Sequence, residues 1–226
     1  FFPVSSDLAM FIQGGMALHN GGSMYVDYFD VKPPFIYYFF EFLYSIFGKS
    51  ITLYRAFDFL YQSTFLLSSI YIFSKLGLSR TAIRLFTVLM PMAYATLSFP
   101  NTFQVESLLF LPLIWFYYLG SKSNSGKYDI LIKGVLLGIA INLKYTFGIL
   151  LLADILYMII QKKGIRSIIK QSLIQFLIAF AVTILLFSPI IISGNFHSFI
   201  YYFPYMKDYS NYPALTFSWL PTAIKF

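Results

Sequence analysis

The sequence predicts an all-α protein: a polytopic transmembrane helix bundle with interfacial amphipathic helices in its first outer loop. Three observations predict it. Hydrophobic residues make up 58% of the 226 and charged residues only 11%, less than half the share usual in soluble domains. The mean hydropathy is +0.72. Long charge-poor runs alternate with short basic loops. Together they exclude an ordinary soluble globule and a disordered chain, which needs low hydrophobicity and high charge.

The runs give the crossings, since a spanning helix needs about 20 mostly apolar residues. Residues 56–74 hold one charge, Asp58, and residues 85–105 hold none. Residues 106–121 are uncharged after Glu106, and residues 145–161 carry only Asp154. Residues 128–143 form a shorter arm in which Lys133 is expected to snorkel toward the inner surface. Residues 171–192 complete a set of six, and Asp154 is expected to be buried against a polar partner.

Charge sets the orientation. The loops 75–84, 120–133 and 161–170 hold Lys75, Arg80, Arg84, Lys122, Lys127, Lys133, Lys162, Lys163, Arg166 and Lys170, most of the sixteen basic residues. Positive loops face the cytoplasm. The net charge of +7 therefore reflects membrane orientation, not nucleic-acid binding. Asp7, Asp27, Asp30, Glu41, Glu106 and Asp208 collect on the opposite, outer side. The domains expected are an outer region 1–55 with interfacial helices and the chemical motifs, a six-helix region 56–192, and an outer loop 193–226.

This parity keeps residues 34–47 from crossing, because a crossing there would invert every later loop. The segment is also short. Tyr37, Glu41, Tyr44 and Ser45 share one helical face, and Phe35, Ile36, Phe39, Phe40, Leu43, Ile46 and Phe47 the rest. That pattern predicts an amphipathic helix lying in the interface. Residues 195–206 offer a second. The Phe1-Phe2-Pro3 start has no signal peptide, and the chain reads as an internal piece of a longer protein.

The candidate chemistry lies outside. Ser5 or Ser6 can cap a helix with Asp7 in its first turn, where the dipole favours a carboxylate. Asp7 is thus either a proton acceptor or only a helix-start acid. Lys32 precedes Pro33-Pro34 at headgroup height, as a phosphate contact or a snorkelling lysine. Asp27 and Asp30 flank it, either as a working carboxylate pair or as a solvated acidic loop. Glu106 opens one outer helix and Lys144 tips an outer turn. Arg55 follows the interfacial helix and reads both ways. No P-loop, GxGxxG, HExxH or GxSxG is present. There is no cysteine, and the two histidines are scattered, so a zinc cluster finds no support. No cofactor is indicated. The outer carboxylates leave room for a divalent cation, without ligand spacing for one.

Taken in order, Asp7, the glycine-rich stretch, Tyr25-Val26-Asp27-Tyr28-Phe29-Asp30-Val31-Lys32-Pro33-Pro34, Phe47-Gly48, Arg55, Glu106 and Gly134-Val135-Leu136-Leu137-Gly138-Ile139-Ala140-Ile141-Asn142-Leu143-Lys144 resemble the type C membrane glycosyltransferases. The resemblance is to the branch of dolichyl-phosphate-mannose protein mannosyltransferases and aminoarabinose transferases. It departs at Leu8, where the family often has an acid.

The resemblance implies a multi-helix bundle with two interfacial helices in its first outer loop. It implies transfer of a sugar from a polyprenyl-phosphate carrier to a glycan, lipid or protein acceptor on the outer face of a bacterial inner membrane. It implies that Asp7 is the catalytic aspartate, that Lys32, Lys144 and Arg55 bind lipid phosphate, and that Tyr25, Asp27, Asp30 and Glu106 bind substrate. Membrane lipid is the other partner. The rival reading is a transporter or flippase of lipid-linked sugars, whose charges would cluster near the midplane.

Overall fold

A computed structural model describes residues 6–96, 102–122 and 126–211. Among them the chain forms nine α-helices. They are α1 (Ser6–His19), α2 (Phe35–Phe47), α3 (Ile51–Lys75), α4 (Arg80–Thr96), α5 (Val105–Ser121), α6 (Lys127–Leu143), α7 (Ile149–Ile160), α8 (Ile165–Ile192) and α9 (Phe196–Asn211). A 3-10 turn, Tyr145–Gly148, leads into α7. The described residues contain no strand, only an isolated bridge between Met24 and Tyr28.

Both helices expected at 34–47 and 195–206 form, as α2 and α9. The crossing expected over 85–105 is shorter than read: α4 ends at Thr96, and residues 97–101 lie outside the described set. Of the described helices only α8 is long and apolar enough to cross a membrane by itself. At 28 residues it rises about 42 Å, more than a hydrocarbon core of about 30 Å. Phe35–Phe47, Val105–Ser121 and Tyr145–Ile160 are shorter apolar helices.

Side-chain pairings fix the helix directions. Asp58 meets Tyr94, and Phe65 and Phe73 meet Phe86, so α3 and α4 are antiparallel. The ring contacts of Phe65 with Phe110, and of Tyr71 with Trp115 and Tyr118, set α3 and α5 parallel. Glu106 meets Lys144 while Gly120 sits beside Lys133, so α5 and α6 are antiparallel. Gly134 faces Ile178 and Gly138 faces Val182, which makes α6 and α8 parallel. The basic connections after α3, α5 and α7 therefore share one end of the bundle. The starts of α3 and α5 and the ends of α6 and α8 share the other.

Close approach at α6 and α8 depends on glycine. A Cβ at Gly134 or Gly138 would stand 2.7 Å from the Cβ of Ile178 or Val182. Four-residue spacing of two glycines on one helix face is the small-residue contact that lets membrane helices touch. The same logic joins α1 to α2, where a Cβ at Gly15 would lie 2.5 Å from the Phe40 carbonyl carbon.

Burial corrects two expectations. Lys133 does not snorkel. It is buried, and its Nζ donates to Asp154 Oδ1 at 2.5 Å, while Gln175 Nε2 donates to Asp154 Oδ2 at 3.0 Å. Asp154 thereby has the buried polar partners expected of it. The ammonium stays inward because the Asp154 carboxylate and the Phe116 ring, 5.0 Å away at its centroid, both receive it. In α2 the Tyr37 side chain turns inward with Ile36, Phe40 and Leu43, leaving Phe42 and Ile46 exposed. Packing on Phe11 and Gly14 of α1 overrides the polar-face reading, and the Tyr37 hydroxyl donates to the buried Asp30 carboxylate in the segment before α2.

Candidate functional site

Loop and helix-end geometry brings five of the predicted residues together. Asp7 sits in the first turn of α1 and Glu106 in the first turn of α5. Both carboxylates are at helix N-termini, where the dipole stabilises negative charge. Lys144 follows the last residue of α6, the end that favours a cation. Asp30 and Lys32 lie in the segment that Pro33 and Pro34 carry into α2. Asp7, Asp30, Lys32, Glu106 and Lys144 line one cavity of about 600 Å³, together with Met10, Phe29, Leu143 and Tyr145 among others.

The charges inside it are ordered. Lys32 Nζ lies 3.5 Å from Asp7 Oδ1 and 3.8 Å from Asp30 Oδ2. It also sits 4.9 Å from the Phe11 ring centroid, which supports the ammonium from the apolar side. Lys144 Nζ donates to Glu106 Oε1 at 2.6 Å. Asp30 is buried, whereas Asp7 and Lys32 are part-exposed to the cavity. An arrangement of two ammonium groups over an apolar floor, with a part-exposed carboxylate beside one of them, can hold an anion and accept a proton in the same space.

Three predicted residues lie elsewhere. Arg55, in the second turn of α3, donates to Thr102 Oγ1 at 2.6 Å and lines a separate cavity of about 550 Å³ with Asp58, Gln62 and Tyr94. Its chain position beside the interfacial helix gave no hint of this, because Thr102 arrives from 47 residues away. Asp27 is exposed and accepts the Ser23 N–H at 2.8 Å, so it shapes the turn. Tyr25 adopts φ +67° and is buried. Its hydroxyl donates to the Lys32 carbonyl at 3.4 Å, which supports the Lys32 segment from behind. Its ring borders a smaller cavity, about 300 Å³, with His197, Ser198, Tyr201 and Tyr202.

Tyr37 is the site neighbour that sequence reasoning missed. Its hydroxyl donates to Asp30 Oδ2. Burial, with the Asp30 carboxylate beside it, pushes that hydroxyl far above the ordinary tyrosine range, so it remains a donor. The available signal was its seven-residue separation from Asp30 across a double proline. Among the described residues no group of three or more His, Cys, Asp or Glu side chains converges as a metal site. Asp7 and Asp30 both face Lys32 instead.

Residues 31–192 match the family model described as dolichyl-phosphate-mannose-protein mannosyltransferase. The chain belongs to this mannosyltransferase family. It is accordingly a membrane-integral glycosyltransferase of type C. The matched stretch contains Lys32, Arg55, Glu106 and Lys144, while Asp7, Tyr25, Asp27 and Asp30 precede it. No curated protein and no solved structure matches the chain significantly.

Proposed function

We propose that this mannosyltransferase-family chain moves a sugar from a polyprenyl-phosphate donor to an acceptor hydroxyl on the outer face of a bacterial inner membrane. The observation that carries the reading is the gathering of Asp7, Asp30, Lys32, Glu106 and Lys144 on one cavity at the end of the bundle opposite the basic loops. A carboxylate placed to take a proton and ammonium groups placed to receive a phosphate are what the chemistry requires.

Asp7 accepts the proton of the acceptor hydroxyl. The acceptor oxygen then forms a bond to the anomeric carbon. The bond from that carbon to the phosphate oxygen breaks, and its electron pair leaves with the lipid phosphate. Lys32 and Lys144 stabilise that developing charge. Asp30 and Glu106 hold the two lysines in place.

The test is transfer of radiolabelled sugar from polyprenyl phosphate in membranes carrying the full-length protein. Asp7→Asn is expected to lose about 10²–10⁴-fold in rate and Lys32→Ala about 10²-fold. Equal transfer in wild type and both variants would refute these roles. Absence of transfer from every donor tried would favour a transporter of lipid-linked sugars.

A further inference from the structure

Asp30 is held on both oxygens. Its Oδ1 accepts the Val31 N–H at 2.6 Å, and its Oδ2 accepts the Tyr37 hydroxyl while facing Lys32 Nζ at 3.8 Å. Lys32 stands slightly nearer to Asp7, at 3.5 Å. The ammonium is therefore shared between two carboxylates and locked to neither.

The phenol that completes this arrangement cannot swing. Tyr37 is wholly buried. A Cβ at Gly14 would fall 2.4 Å from its ring, so α1 presses directly on it. Phe11 and Tyr28 pack against the ring at 5.9 and 5.1 Å between centroids. Tyr28 is itself tied down through its hydroxyl to the Met10 carbonyl at 2.8 Å.

We propose that Tyr37 is a positioning residue: by occupying Asp30 Oδ2 it divides Lys32 between Asp30 and Asp7 and keeps the ammonium directed at the cavity. The inference rests on the roles proposed above for Asp7 and Lys32. Its physical basis is competition for one oxygen. A hydroxyl donating to a carboxylate makes a strong charge-assisted bond. Without it, Asp30 Oδ2 is a buried acceptor short of a donor, and leaving such a group unsatisfied is costly. The Lys32 ammonium is the donor at hand. It closes to contact distance, about 2.7–2.9 Å, and withdraws from Asp7.

Two consequences follow from that shift. Lys32 becomes less available to a reagent entering the cavity. Asp7 loses the cation that stood 3.5 Å from it. The other charged groups on the cavity wall are Asp30, Glu106 and Lys144, with Tyr145 beside them. The Glu106–Lys144 pair joins the start of α5 to the end of α6 and serves as the internal reference.

The experiment reads lysine reactivity, which does not depend on sugar transfer. Full-length protein in membranes is treated with an amine-reactive acylating reagent, and labelling of Lys32 and Lys144 is followed by peptide mass spectrometry. Tyr37→Phe is expected to slow Lys32 labelling several-fold with Lys144 unchanged. Asp30→Asn is expected to do the reverse and speed Lys32 labelling, which keeps the test available if Tyr37→Phe fails to fold. Unchanged Lys32 labelling in both variants overturns the proposal, as does equal acceleration of both lysines, which would mean general loosening. If no donor supports transfer but labelling behaves as stated, the enzymatic reading fails and the positioning role stands.

Discussion

Arg55 shows how much a single side chain's role depends on which residue reaches it. Its sequence context suggested a phosphate contact, yet its guanidinium is spent on Thr102 beside Asp58 and Tyr94. Arg55→Ala should therefore act on stability and not on donor affinity. Loss of hydrogen bonds from a charged donor costs about 1.5–3 kcal/mol. The expected outcome is a lower midpoint in thermal unfolding with an unchanged KM for the lipid donor. A raised KM at unchanged stability would return Arg55 to the phosphate site. Asp7, Lys32 and Glu106 differ because their positions are set locally. Helix starts and a double proline are visible in the chain, so these three were legible. Tyr37 was not, because its partner lies across a turn whose course depends on packing with α1.

At the scale of elements, the helices follow from apolar run length, and their ends from charged loops and from Gly and Pro. Helix-to-helix contacts are less visible. The Gly134–Gly138 spacing carries the α6–α8 contact, but only the facing Ile178 and Val182 reveal that the glycines are there for approach. Lys133 was misplaced for a related reason. A lysine near a helix end is ordinarily able to reach water, and only the arrival of Asp154 and Gln175 from α7 and α8 makes burial the better solution. A buried pair of this kind is costly to break from one side. Removing one partner leaves an uncompensated charge and costs about 3–5 kcal/mol, whereas replacing both with apolar groups is often neutral. Lys133→Met and Asp154→Leu should each lower the yield of folded protein in detergent, measured by monodisperse elution, and the double variant should recover most of it. Additive losses in the double variant would show that the two residues do not act as a pair.

For the whole molecule, the informative feature is a surface turned inside out. Phe59, Leu67, Ile160, Leu185 and Ile192 are exposed, while Asp58, Gln62, Lys133, Asn142, Asp154 and Gln175 are buried. Water would penalise that distribution, and a lipid environment favours it, since polar groups there must find partners within the protein. The helix directions then put Lys75, Arg80, Lys122 and Arg166 at one end and the Asp7–Lys32 cavity at the other. By the positive-inside rule the basic end is expected to face the cytoplasm and the cavity to open outward. The cysteine-free sequence makes this directly measurable. Val26 is exposed at the cavity end and Tyr128 at the basic end. In a full-length protein whose other cysteines are replaced, Val26→Cys should react with a membrane-impermeant maleimide on intact spheroplasts. Tyr128→Cys should react only after permeabilisation. The opposite pattern would put Asp7 and Lys32 in the cytoplasm, where an outer-face donor could not reach them, and would sink the proposed reaction while leaving the helix bundle as described.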